Sequence, residues 1–110
     1  MTEAIREVNG NLVVALGGEI DLDRAPAVRR QLLDCVKRGQ AVLVDLSAVT
    51  YIDSSGIASL VEALQWARRR GSDLSLVAVS PQALRVFELA RLDKVFSIHL
   101  DIDAALAAAG

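Results

Sequence analysis

The chain reads AVLVDLSAVTYIDSSGIASLVEAL over residues 41–64, where the pattern of a strand gives way to the pattern of a helix. Residues 41–45 are too few and too continuously apolar for an amphipathic helix, which is typical of a buried central strand. Residues 54–70 repeat apolar side chains at helical spacing and predict an amphipathic helix. Its predicted buried face consists of Ile57, Leu60, Val61 and Leu64. At the junction, Asp-Ser-Ser-Gly at residues 53–56 places a carboxylate and two hydroxyls at the positive end of the helix dipole.

Two short strands are predicted before this segment. They cover residues 3–8 and 12–16 and flank an Asn-Gly pair that favours a hairpin. Residues 19–23 are predicted to form a loop, and Asp23 is suited to cap the helix that follows. Gly39 is predicted to end this first helix.

Strands and helices continue to alternate after the central helix. LSLVAV at residues 74–79 predicts another buried strand, and Ser80 with the proline after it starts a helix that reaches about residue 90. Residues 95–99 are predicted to add an edge strand, and residues 102–109 a short alanine-rich helix. This alternation predicts an α/β domain with a partly parallel, mixed sheet.

The composition indicates one soluble globular domain over residues 1–110. Hydrophobic residues make up 53% of the chain and charged residues 24%, and no apolar run approaches the roughly 18 residues that a membrane-spanning helix needs. A net charge of −2 gives no indication of nucleic-acid binding. Cys35 and His99 are each the only residue of their type, so neither an internal disulfide nor a zinc site is expected. We therefore expect a cytoplasmic protein, or a soluble one attached to a membrane complex through a partner, with no metal and no membrane insertion of its own.

Catalysis is not expected from these residues. The single histidine, His99, lies far along the chain from Ser54, and the Gly-x-Ser-x-Gly pattern of a serine hydrolase is absent. No glycine-rich phosphate loop is present, so no nucleotide cofactor is expected. Asp21 and Asp23 imitate a catalytic carboxylate pair, but aspartates before a helix are usually caps.

Three blocks of sequence appear in a fixed order along the chain. They are Gly-Glu-Ile-Asp at residues 18–21, Val-Asp-Leu-Ser-Ala-Val and Ile-Asp-Ser-Ser-Gly within residues 44–56, and Ser-Pro at residues 80–81 with apolar positions up to Leu92. Together they resemble the STAS domain family, and within it the anti-sigma factor antagonists (anti-anti-sigma factors) of bacteria. The resemblance implies a single small domain whose mixed sheet of four or five strands is covered mainly on one face by about four helices.

The resemblance also implies a function and a site. In this group the unphosphorylated antagonist binds an anti-sigma factor, which is often a serine kinase, and phosphorylation of the antagonist releases it. A phosphatase then resets this partner switch, which regulates transcription. The resemblance places the phosphorylated serine at Ser54 and leaves Ser55 as a structural hydroxyl. From the residues alone, both serines also fit the simpler role of helix caps, worth about 1 kcal/mol over alanine.

A partner-binding surface is predicted around Ser54. It consists of Asp21, Asp53, Ser55, Gly56, Ser59 and Trp66. The two aspartates are expected to lie close together and to make the surface negative before any phosphate arrives. On a helical wheel Trp66 falls opposite the apolar face, together with Ser59, which suits an anchor for a partner. The alternative is that Trp66 folds down over the end of the first helix or over the chain termini.

The family offers a second function. STAS proteins also serve as accessory subunits bound to the ATPase of lipid-transport ABC transporters, where no phosphate cycle is needed. The signature of that group often drifts to Asp-[Ser/Thr]-Ala-Gly, whereas this chain has Ser55 at the third position. This difference favours the partner switch.

Overall fold

The computed structural model describes residues 4–109. Its strands are β1 (Ala4–Val8), β2 (Asn11–Ile20), β3 (Val42–Ile52), β4 (Leu74–Val77) and β5 (Ile98–His99), and its helices are α1 (Ala25–Lys37), α2 (Ser54–Arg69), α3 (Pro81–Leu89) and α4 (Ile102–Ala109). The five strands form one sheet in the order β1-β2-β3-β4-β5, in which β1 is antiparallel to β2 and all other neighbours are parallel. The predicted α/β fold with a mixed sheet is confirmed. Residues 1–3 and 110, which belong to the predicted domain and strand, lie outside the described residues.

The helices are divided unequally between the two faces of the sheet. The larger core lies under α1, α2 and α3, and it includes Phe87, whose ring packs edge-on against Phe96 at a centroid distance of 5.6 Å. On the other face α4 covers a small cluster built around Val13, Leu43 and Ala105. The sheet is therefore covered mainly on one face, as predicted. Among residues 4–109, no helix is long and apolar enough to cross a membrane.

β2 and β3 are longer than the sequence predicts. The prediction ended them at residues 16 and 45, but their parallel pairing continues as far as Ile20 opposite Ile52. The register shifts at two points around Gly17 and Gly18, where the ladder becomes irregular. Gly18 has a φ of +71°, which glycine adopts without strain. The irregular pairing explains why a simple alternation of apolar and polar residues did not reveal this part of the sheet.

A single arginine holds the irregular end of β2. The Arg24 guanidinium donates hydrogen bonds to the backbone carbonyls of Gly17 and Glu19. Arg24 is also the N-cap residue of α1, without a side-chain capping bond, so the prediction that Asp23 caps this helix is wrong. Asp21 supplies the acceptors instead, since its carbonyl accepts from the Ala25 N–H at 2.8 Å and its carboxylate accepts from the Arg24 N–H at 3.1 Å. The helix thus begins one residue later than predicted, and Asp21 holds the turn that precedes it.

The strands after α2 are shorter than predicted. β4 ends at Val77 because Ala78 adopts a φ of +52°, which is incompatible with an extended strand. β5 contains only Ile98–His99, since the N–H groups of Val95 and Phe96 both donate to the carbonyl of Leu92 in a turn.

The caps of the last two helices agree more closely with the sequence. The Ser80 hydroxyl accepts from the Ala83 N–H at 3.3 Å, as an N-cap does, and α4 has the predicted bounds.

Gly56 allows α2 to lie very close to the sheet. A Cβ atom at this position would lie 2.8 Å from the Ile20 Cγ2 atom and 2.8 Å from the Ile52 Cγ1 atom. It would also lie 3.0 Å from the Ile20 carbonyl oxygen, which cannot move without breaking the sheet. The first turn of α2 is therefore fixed against the ends of β2 and β3.

Replacing Gly56 with alanine should lower the free energy of unfolding by about 1–3 kcal/mol, the usual cost of overpacking. Helix propensity alone favours alanine over glycine by about 1 kcal/mol and so predicts the opposite sign. Urea denaturation followed by circular dichroism measures the difference. The exposed Ala58 on the same helix provides the control, since Ala58→Gly carries only the propensity cost. A Gly56→Ala protein as stable as the wild type would contradict the close packing.

Candidate functional site

The candidate site lies where β3 ends and α2 begins. β3 ends at Ile52, Asp53 follows, and Ser54 is the first residue of α2. The Asp53 N–H donates to the carbonyl of Ile20, the last residue of β2, at 3.2 Å. This bond brings the loop after β2 beside the start of α2. The two blocks that carry Asp21 and Asp53 are therefore neighbours, as the sequence predicts for parallel strands.

Asp53 caps α2. Its Oδ1 atom accepts from the N–H groups of Ser55 at 3.0 Å and Gly56 at 3.2 Å, and from the Ser55 hydroxyl at 2.5 Å. The Ser55 hydroxyl, and then the N–H groups of Gly56, Ser55 and Leu22, hold the pKa of the Asp53 carboxyl below its usual value, although partial desolvation opposes this shift. The carboxylate is therefore charged at neutral pH.

Ser54 takes no part in this cap. Its side chain is exposed, and among residues 4–109 its hydroxyl has no hydrogen-bond partner. The capping role that the residues alone allowed for Ser54 belongs to Asp53. The Ser55 hydroxyl, by contrast, is bonded to Asp53 and is held inside the first turn. The two adjacent serines thus differ in what their hydroxyls can do, since only that of Ser54 is free to react.

Asp21 shapes the neighbouring loop and is half-buried. Its carboxylate bond to the Arg24 N–H fixes the turn into α1, and the N–H of the next residue, Leu22, helps to lower the pKa of the Asp53 carboxyl. Two carboxylates therefore lie in adjacent loops beside Ser54. Their predicted role in a negative partner-binding surface stays a prediction.

Ser59 does not lie on that surface. It is only 5% exposed, and its hydroxyl donates to the carbonyls of Ser55 at 3.1 Å and Ala25 at 3.3 Å. The expectation that Ser59 faces outward is wrong, because α1 packs across this side of α2 and the helical wheel assumed that only the sheet covers it. Gly56 is also buried, so its contribution is to packing and not to direct contact with a partner.

Trp66 is 42% exposed on the outer side of α2, with the Arg69 guanidinium 5.6 Å from its ring centroid. It lines a groove between α1 and α2 together with Leu33 of α1. The ring therefore borders the end of α1 and is still accessible, and its role as an anchor for a partner stays a prediction.

Nearer the site, Arg29 of α1 forms two hydrogen bonds to the Glu62 carboxylate of α2, at 2.6 and 2.8 Å. These bonds hold the pKa of Glu62 below its usual value. The pair ties the outer sides of the two helices together.

Two exposed apolar side chains near Ser54 were missed by the sequence analysis. Leu22 is 71% exposed, and Tyr51 is 50% exposed. Leu22 borders a groove with Pro26 and Ser55, on the side of the α2 N-terminus that faces α1. A leucine between two aspartates in a loop was the only available signal, and periodicity cannot show whether such a side chain is buried.

Comparison with known proteins identifies the family of this chain. A sequence model of the STAS domain family matches residues 3–105, which is nearly the whole chain. The chain belongs to the STAS domain family.

Named relatives of this STAS domain are similar over most of their length. The anti-sigma-B factor antagonist of Listeria monocytogenes is 36% identical over 86 residues, which cover 77% of this chain and 75% of that protein. A crystal structure of an anti-sigma factor antagonist from Mycobacterium paratuberculosis is 31% identical with a TM-score of 0.88, over 97% of this chain and 92% of that one.

The phosphorylated form of the Bacillus cell fate determinant SpoIIAA is a more distant neighbour. It has a TM-score of 0.75 over 99% of this STAS domain and 100% of its own chain, at 17% identity. This similarity is one of fold alone.

Replacing Asp53 with alanine should lower the thermal midpoint, because three hydrogen bonds to its Oδ1 atom are lost. The pKa of Asp53 is lowered in the folded protein, so the carboxylate stabilises the fold above its unfolded pKa of about 3.8 and loses this effect as the pH falls through the folded value. The difference between wild type and Asp53→Ala should thus be largest at neutral pH and shrink in acid. Thermal melts from pH 7 to about pH 2 measure it.

Two variants control this measurement. Asp53→Asn should keep the capping bonds and lose the pH dependence, since asparagine caps well and does not titrate. Asp23→Ala should leave the midpoint unchanged, because Asp23 is exposed and does not cap α1. Equal losses from Asp23→Ala and Asp53→Ala would contradict the capping role of Asp53.

Proposed function

We propose that this STAS domain is an anti-sigma factor antagonist that phosphorylation of Ser54 releases from its partner. The observation that carries the proposal is the exposed Ser54 hydroxyl, which has no hydrogen-bond partner among residues 4–109 while its neighbours perform the capping. The names of the relatives support the antagonist role. The phosphorylated form of SpoIIAA supports the idea that this fold tolerates a phosphate.

The first turn of α2 is a suitable place for a phosphate. A phosphoserine adds a charge of about −1.5 to −2, and the positive end of a helix dipole stabilises an anion. However, Asp53 already accepts from the N–H groups of Ser55 and Gly56. A phosphate on Ser54 would find these donors occupied and would be repelled by the carboxylate. It would therefore point into solvent and leave the fold unchanged.

The phosphate would weaken the binding of the partner protein. A protein that packs over Ser54 would contact the exposed side chains around it, such as Leu22 and Ala58. Phosphorylation places a hydrated dianion in the middle of that contact, next to Asp53 and Asp21. The partner would have to desolvate this charge, which is costly without a cation to pair with it. Dissociation follows.

The proposed cycle requires two enzymes besides this protein, which itself has no catalytic role. An anti-sigma factor with serine kinase activity binds the unphosphorylated form and modifies Ser54, and a phosphatase restores the hydroxyl. The site of action is the bacterial cytoplasm, and the output is regulation of transcription. The chain contributes a surface and an acceptor hydroxyl.

Replacing Ser54 with aspartate should weaken binding to the cognate anti-sigma factor by more than about tenfold, because a fixed carboxylate enters the interface. Ser54→Ala should bind like the wild type and should not be labelled by that kinase with radiolabelled ATP, whereas Ser55→Ala should still be labelled. Calorimetry with the purified anti-sigma factor from the same genome measures the affinities.

Ser97→Asp is the matched charge control. Ser97 is exposed just before β5, at the opposite end of the sheet from Ser54, so its aspartate variant should bind like the wild type. Wild-type affinity for Ser54→Asp, or labelling that persists in Ser54→Ala, would overturn the proposal. Equal capture of an ABC transporter ATPase by wild type and Ser54→Asp, without any anti-sigma factor, would place the protein in the transporter class instead.

A further inference from the structure

A second accessible surface runs between α1 and α2, from the Arg29–Glu62 pair to the C-terminal ends of the two helices. Both helices follow strands of the parallel sheet, so their C-terminal ends lie side by side, and the Arg70 guanidinium donates to the Lys37 carbonyl at 3.2 Å. Between them runs a groove with a volume of about 340 Å³. The side chains that line it include Arg29, Leu33, Lys37, Glu62, Trp66 and Arg70. We call this surface the basic groove.

The basic groove carries an excess of positive charge. Among the described residues that line it, Glu62 is the one carboxylate, and it accepts two hydrogen bonds from Arg29. Within residues 4–109, Lys37 and Arg70 have no carboxylate within 4.0 Å. Arg69 lies against the Trp66 ring but lines the neighbouring surface that includes Ser54. Lys37 and Arg70 are therefore the cations that the groove offers to a negatively charged partner.

The groove is apolar as well as basic. Trp66 is 42% exposed, and Leu33 is half-buried beside it with the fully buried Val36 below. Cations in the last turns compensate the dipoles of α1 and α2, which explains their sign. Dipole compensation does not explain why the only tryptophan of the chain lies accessible among them. Tryptophan and arginine are the residues most enriched at the energetic centres of protein interfaces.

The free cations of the basic groove lie away from the proposed phosphorylation site, although Glu62 and Trp66 also line a surface groove that reaches Ser54. Trp66 is twelve residues after Ser54 on α2, which corresponds to about 18 Å along the helix axis. This distance exceeds the screening length of about 8 Å at physiological ionic strength, so the field of a charge on Ser54 is largely screened at Trp66. A charge on Ser54 should therefore have little direct electrostatic effect on a ligand held by Lys37 and Arg70.

We propose that the basic groove binds an acidic amphipathic helical segment of a partner protein. Two parallel helices with a furrow between them present the shape into which the apolar side chains of a third helix pack. Leucine-sized side chains would enter between Leu33 and Trp66, and carboxylates would pair with Lys37 and Arg70. A nucleic acid would use the cations but not the apolar floor, and the net charge of −2 disfavours it.

Because Trp66 is the only tryptophan, its fluorescence reports on the groove directly. The probe is a synthetic helical peptide rich in glutamate with leucine at every third or fourth position, titrated into the 110-residue protein. The emission of Trp66 should shift to shorter wavelength and reach saturation. A second peptide, with glutamine in place of every glutamate, should bind at least about tenfold more weakly.

Charge reversal locates the binding. The double variant Lys37→Glu/Arg70→Glu retains Trp66 and should lose most of the affinity for the acidic peptide. Arg85→Glu/Lys94→Glu, which makes the same charge change on exposed residues in and after α3, should bind like the wild type. Circular dichroism confirms that both proteins are folded. Ser54→Asp should also bind like the wild type, so this experiment fails or succeeds independently of the proposed phosphorylation switch.

Four outcomes would overturn the proposal. They are no saturable shift with the acidic peptide, equal binding of the glutamine peptide, equal losses from the two double variants, and tighter binding of single-stranded oligonucleotides or anionic vesicles than of the peptide in direct competition. The first two would mean that the groove does not recognise acidic segments. The third would mean that the peptide responds to overall charge, and the fourth that the groove serves a different class of ligand.

Discussion

The approach of α2 to the ends of β2 and β3 at Gly56 is the constraint on which the site depends. Only a residue without a Cβ atom fits there, because a side chain would meet Ile20 and Ile52 at 2.8 Å. With the first turn of α2 held in this position, the Asp53 carboxylate points back at the exposed N–H groups of the helix. Ser54 is then directed away from the sheet. A single close contact in the core thus determines which of two adjacent serines is presented to other proteins.

The sequence was sufficient for the parts of the fold that local patterns encode. Apolar periodicity and the caps at Ser80 and Gly39 located the helices, and α4 has the predicted bounds. It was insufficient where pairing between distant segments decides the structure. The second halves of β2 and β3 exist only because they pair with each other through shifted register around Gly17 and Gly18. No residue in either segment indicates that it pairs with the other strand, so both strands were predicted too short.

The candidate site was likewise predictable in part. The position of Ser54 could be predicted, because a strand followed by Asp-Ser-Ser-Gly and an amphipathic helix defines a helix start. Which residue of that motif caps the helix could not be predicted, because aspartate and serine are equally good caps. Only the structure shows that Asp53 accepts the hydrogen bonds. Ser59 was misplaced because a helical wheel contains no information about α1, which covers that side of α2. Interfaces between helices are a property of the assembled fold.

The cap formed by Asp53 has a consequence for the lifetime of the protein in the cell. Proteins are degraded largely through their unfolded fraction, so a modification that changes stability also changes abundance. Here the capping N–H groups are occupied by Asp53, and under the proposal a phosphate on Ser54 would leave these bonds in place. Both forms should therefore resist proteolysis equally. In the proposed cycle the total pool of protein would be constant while its modified fraction changes, so the signal would be set by the kinase and phosphatase rather than by synthesis and turnover.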